Sequence, residues 1–158
     1  MPFDSNIKNI EEIILSIEMI CSKQEKCKSE IREKLKKWEL PNEKIEDILS
    51  LLEKENFINE IRYTEFYIKD KLKFNKWGKI KLKYYLKQKQ IPKDIIQDGL
   101  DNIDEIEYFK ILKSEIEKKL KLLTSKNQRK DKLVRYAQSK GFEPELIFSI
   151  VNEKIKNY

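Results

Sequence analysis

Apolar residues recur in this chain at a fixed spacing of 51. One triplet is Ile31, Leu82 and Leu133, and a second is Leu35, Leu86 and Ala137. Leu40, Ile91 and Phe142 form a third, Ile45, Ile96 and Ile147 a fourth, and Leu49, Leu100 and Val151 a fifth. Pro41 and Pro92 share a slot in that register, and Pro144 lies close to the third position. A period of this length marks one supersecondary unit that buries its apolar face against copies of itself. The chain therefore reads as one helical unit used three times: an all-α, elongated array that presents surface.

Composition agrees with helices. Charged residues make up 39% of the 158 and glycine occurs three times, which disfavours sandwiches, barrels and glycine-rich phosphate loops. The apolar share of 39% is too high for a disordered chain. No apolar run approaches a membrane span. Residues 1–8 lack a basic segment followed by an apolar run, so no secretory signal, no membrane association and a cytoplasmic location are expected. Cys21 and Cys27 are expected as two reduced thiols, because no histidine exists to complete a zinc site.

Along the chain, Asp4 or Ser5 can cap a first helix with Ile7, Ile10, Ile14, Ile17 and Cys21 on its apolar face. Ile31, Leu35 and Trp38 mark a second helix, and Ile45, Ile48, Leu49 and Leu52 a third. After residues 56–59 a long helix carries Ile61, Phe66, Ile68 and Leu72. Gly78 precedes a helix that buries Leu82, Tyr85 and Leu86, and Ile95, Ile96, Leu100 and Ile103 follow Pro92. The last unit is a helix over about 104–123, a polar break, a helix to Lys140, Gly141 at its end, and a helix from Pro144. Residues 71–74 and 79–84 alternate polar and apolar, which alone would suit a β-hairpin. The 51-residue register favours helix, because Leu82 and Leu86 fall opposite Leu133 and Ile31.

Charge is unevenly placed within a net +6. Residues 62–93 hold eleven Lys or Arg against Glu65 and Asp70. Residues 94–107 hold six acids and no base, and residues 41–60 six acids against Lys44 and Lys54. Such asymmetry bears on partners rather than on fold. Eight of the sixteen aromatics lie between Phe57 and Tyr85. Lys69, Lys73 and Lys76 make one stripe, and Lys79, Lys83 and Lys87 another at helical spacing. These lysines suit phosphates or an acidic protein surface, or else simply keep a helix face soluble. Trp77 beside Gly78 either packs as an anchor or offers a stacking face.

Catalysis has little to stand on. Without histidine the commonest general base and metal ligand are missing, and no phosphate loop, nucleophile elbow or CxxC pair occurs. Glu30/Lys34, Glu33/Lys37 and Glu117/Lys121 read as surface pairs. A non-enzyme without cofactor or metal is expected.

The segment from Asn56-Phe57-Ile58-Asn59-Glu60-Ile61-Arg62-Tyr63 and Phe66, through Lys69-Asp70-Lys71, to Phe74-Asn75-Lys76-Trp77-Gly78-Lys79-Ile80-Lys81 resembles the centre of the RecX family, in the subset with a Lys-Trp-Gly-Lys motif. Glu30 to Leu35 with Trp38, Ile91 with Ile95-Ile96, Ile103-Asp104-Glu105 with Tyr108, and Gly141-Phe142-Glu143 extend the resemblance. Departures are Glu39 and Gln90, where the family favours glycine in the turn, and Thr64, where alanine is usual.

The resemblance implies three tandem three-helix repeats, here 1–55, 56–103 and 104–158, in a curved right-handed array. It implies a regulator of the RecA recombinase that binds RecA or the RecA–DNA filament and suppresses ATP hydrolysis, strand exchange and coprotease activity in DNA repair and the SOS response. Candidate contact residues are Arg62, Lys69, Lys73, Lys76, Lys79 and Lys83, with Trp77 and Gly78 as structural anchors. A monomer is expected, with direct DNA binding weak. Two alternatives stay open: an autonomous basic DNA-binding module, and a generic helical adaptor.

Overall fold

The computed structural model describes residues 9–156. Among them the chain is helical throughout, with no strand. The first unit is α1 (Ile10–Lys23), α2 (Lys28–Lys37) and α3 (Asn42–Lys54). The second is α4 (Glu60–Asp70), α5 (Lys79–Gln88) and α6 (Lys93–Asp101), and the third is α7 (Glu105–Leu122), α8 (Arg129–Ser139) and α9 (Pro144–Lys156). A π-helical turn, Lys71–Asn75, extends α4, and Lys76 closes it in the left-handed region.

Local chemistry sets these limits. Asn9, Asn59 and Asp104 cap α1, α4 and α7 by accepting backbone N–H bonds of 2.9 Å from Glu12, Arg62 and Ile106. Pro41 and Pro92 precede α3 and α6, and Pro144 opens α9, where the missing proline N–H would have no partner. The expected caps Asp4 and Ser5, and Ile7, lie outside the described residues.

The 51-residue register is the register of the core. Every residue of the five triplets is buried except Leu40, which is half-buried. The third triplet has a particular cause. α2, α5 and α8 each end in the same left-handed turn, at Glu39, Gln90 and Gly141, with φ of 59°, 60° and 91°. The N–H of Leu40, Ile91 and Phe142 then reaches back to the carbonyl of Leu35, Leu86 and Ala137, at 3.5, 3.2 and 3.4 Å. That is a Schellman closure, whose following residue is apolar because it folds back onto the helix.

Several expectations need correcting. α1 buries Ile13 and Ile17, whereas Ile10 is exposed and Ile14 and Cys21 are half-buried, so the apolar stripe is rotated from the one expected. α4 buries Glu60, Tyr63, Thr64 and Ile68, leaving Ile61 and Phe66 exposed. Tyr85 is exposed, because α5 turns Leu82 and Leu86 inward and Ile80 and Tyr84 outward. The hairpin alternative is not realised: residues 71–84 are the π turn, a short link and α5. Glu30 pairs with Lys89 at 3.3 Å, Glu33 with Lys36 at 3.7 Å and Glu117 with Lys154 at 2.5 Å, rather than with Lys34, Lys37 and Lys121. Both thiols are free.

Helices pack mostly within their own unit. Ile13, Ile17, Ile31, Leu35, Ile45, Leu49, Leu52 and Ile58 form a separate core for the first unit. The second and third units share one continuous core, to which Cys27 of the first also belongs.

Candidate partner-binding surface

The basic centre is built around two joints. At the joint between the second and third units, the start of α5 sits on the end of α8. The Gly78 N–H donates to the Lys140 carbonyl at 2.7 Å, and the Ile80 N–H donates to the Gly141 carbonyl at 3.0 Å. A Cβ on Gly78 would lie 2.4 Å from the Gly141 carbonyl, so two backbones meet with no room for a side chain. The Lys79 N–H donates to the Tyr108 hydroxyl at 2.9 Å, and that hydroxyl donates in turn to Glu143. Burial, reinforced by the Glu143 carboxylate, pushes the Tyr108 phenol above its ordinary range and keeps the proton in place. The Lys79 ammonium pairs with Glu105 at 2.5 Å and lies 4.8 Å from the Tyr108 ring centre.

The joint between the first and second units uses equivalent positions. Cys27 precedes α2 as Gly78 precedes α5, and its Sγ approaches the Lys89 carbonyl at 4.0 Å. Lys28 and Lys79 open their helices, as Glu60 and Glu105 open theirs. Burial raises the Glu60 carboxyl, against the opposing pull of Lys28. Arg62 clamps this joint. Its guanidinium meets Glu25 at 2.5 Å and donates to the carbonyls of Asn56 and Phe57 at 3.1 and 3.3 Å. Glu30 accepts from the Cys27 N–H at 3.1 Å and from Lys89. Burial opposes its ionisation, but these two partners outweigh it and hold its carboxyl below the ordinary value.

Trp77 is half-buried and already has partners on its faces. It stacks on Tyr85 at 4.9 Å between ring centres, with Tyr67 at 6.5 Å and the ammoniums of Lys81 and Lys71 at 4.9 and 5.2 Å. Burial, with a lesser contribution from Tyr85, pushes the Tyr67 phenol up to about 12.

The six basic candidates therefore separate. Arg62 and Lys79 are held in the joints. Lys83 is half-buried on α5, between the exposed Ile80 and Tyr84 and Lys87. Lys69, Lys73 and Lys76 come together along one groove of about 550 Å³. Its floor is apolar, with Ile68, Leu72, Ile103 and Ile111, and its far wall carries Asp104 and Glu107 at the start of α7. Among the described residues none of these three lysines has a carboxylate within 4.0 Å. Gly99 lets α6 approach α4 beneath the groove, since a Cβ there would meet Ile68 at 2.8 Å and Thr64 at 2.9 Å.

Sequence reasoning missed the acidic wall, the apolar floor and the joint partners Glu25, Glu105 and Glu143. The acidic run after residue 94 signalled Asp104, Glu105 and Glu107, whereas nothing local to Glu25 or Glu143 marks them as joint partners. Among the described residues no group of three or more Cys, Asp or Glu could hold a metal ion, and no helix is long and apolar enough to cross a membrane.

Known proteins share this architecture. The solved RecX from Lactobacillus salivarius superposes with a TM-score of 0.80 at 20% identity, covering 94% of this chain and 97% of that one. A second crystal structure of a regulatory protein RecX gives 0.77 at 22%, covering 94% and 74%. At those identities the likeness establishes the fold: an all-α array of three-helix repeats. Sequence adds descent. The regulatory protein RecX of Clostridium beijerinckii is 36% identical over 140 residues, which cover 85% of this chain and 64% of that protein. The match thus spans just under two thirds of that relative's length. The regulatory protein RecX of Clostridium perfringens is 32% identical over 166 residues, covering 96% of this chain and 77% of the relative. Residues 59–100 match the family model for the second three-helix domain of RecX, and residues 105–151 match that for the third. This chain belongs to the RecX family.

Proposed function

We propose that this chain is a non-enzymatic regulator that binds RecA, chiefly as the RecA–DNA filament, and restrains its ATPase, recombinase and coprotease activities. It acts as a monomer in the cytoplasm, alongside DNA repair. The observation that carries this reading is the matched second domain, residues 59–100, which coincides with the basic centre and sets Lys69, Lys73 and Lys76 along a groove with no ion pair among the described residues. A filament offers a long repeating surface, and a chain of three small units offers the matching reach. A weaker, direct contact with DNA is supported by the outer face of α5, where Lys83 and Lys87 accompany the exposed Tyr84.

The test is a titration of the host RecA's DNA-dependent ATP hydrolysis with the purified protein. The expected outcome is inhibition at or below equimolar ratio to RecA. An unchanged rate across the titration would contradict the proposal, and recovery from lysate of an unrelated partner without RecA would favour the adaptor.

A further inference from the structure

We infer that the groove between the second and third units receives a short amphipathic helix of the protein partner, with an apolar ridge flanked by acids on one side and bases on the other. The inference rests on the filament-binding reading and names the contact chemistry within it. Three observations carry it. The floor of Ile68, Leu72, Ile103 and Ile111 offers an apolar slot of about 550 Å³, within the size range of binding clefts. One wall carries Lys69 and Lys73, both exposed, with Lys76 held beside them by its left-handed backbone, and Glu65 one turn before Lys69 as the single acid on that side. The opposite wall carries Glu107, which is exposed and lies in the first turn of α7. A helix laid in such a slot would bury its ridge and pair both flanks.

Nucleic acid fits this groove less well. A phosphate chain would be drawn to the lysine wall but repelled by Asp104 and Glu107, and it would leave the apolar floor unused. The two occupants make opposite demands of Glu107, and that decides the experiment.

Lys69→Glu/Lys73→Glu and Glu107→Lys alter exposed side chains, so both variants should retain the helical content and melting temperature of the parent. Each is titrated beside the parent into RecA on single-stranded DNA, reading the concentration that halves ATP hydrolysis. The expected result is a rise of about tenfold for the double variant and about threefold for Glu107→Lys. Unchanged inhibition by either variant overturns the inference. Stronger inhibition by Glu107→Lys also overturns it and assigns the groove to nucleic acid. Absence of inhibition by the parent protein overturns the filament-binding reading itself, and the inference with it.

Discussion

Gln90 and Gly141 occupy the same turn 51 residues apart, yet only one of them has to be glycine. Gly141 sits at φ of 91° and faces Lys81, whose Cβ lies 2.2 Å from where its own Cβ would be. Both conformation and space therefore exclude a side chain there. Gln90 has φ of 60° but lines an open cleft with Lys28 and Ser29, so its side chain has room and only the backbone is strained. Left-handed backbone costs an ordinary residue about 1–2 kcal/mol, and glycine gives back about 0.5–1 kcal/mol in chain entropy. Gln90→Gly is expected to stabilise the protein by about 0.5 kcal/mol, seen as a melting midpoint higher by about 1–2 °C in calorimetry. A lower midpoint would mean that Gln90 makes a contact the joint needs.

The elements of each unit were largely legible in the sequence because they follow local rules. α2 and α5 are offset by 51 at both ends, and so are α6 and α9 at their starts, since apolar period, proline and helix-ending turn all repeat together. What the sequence left hidden lies between elements. Arg62 and Lys79 look like free cations in a basic run, but acids 37 and 26 residues away, Glu25 and Glu105, hold them. Ile61, Phe66 and Tyr85 look like core but are exposed, because the rotation of α4 and α5 is set by the joints and not by their own periodicity. Gly78 makes the dependence testable. Gly78→Ala would push a methyl group against the Gly141 carbonyl, at 2.4 Å, and neither backbone can yield cheaply. Thermal or urea unfolding should register a loss of about 2–3 kcal/mol. Stability within about 0.5 kcal/mol of the parent would show that the second joint is looser than described.

At the scale of the whole molecule, the two joints differ. The second and third units share a core and are tied backbone to backbone, whereas the first has its own core and is joined largely through the side chains of Cys27, Glu30 and Arg62. The fold was therefore readable as three copies of one unit, while the groove was not, because its walls come from α4 and α7 of different units and its charges cancel in a sequence-wide count. The basic centre that stood out in sequence splits into cations that hold the joints and cations that remain available. On the proposed filament-binding reading, the available ones meet a protein filament rather than bare DNA. The most direct test is the affinity of the fluorescently labelled protein for preassembled RecA filaments on single-stranded DNA, compared with the same DNA alone, at 0.15 M salt. Binding to the filament is expected to be at least about a hundredfold tighter. Equal or tighter binding to bare DNA would contradict the filament-binding proposal.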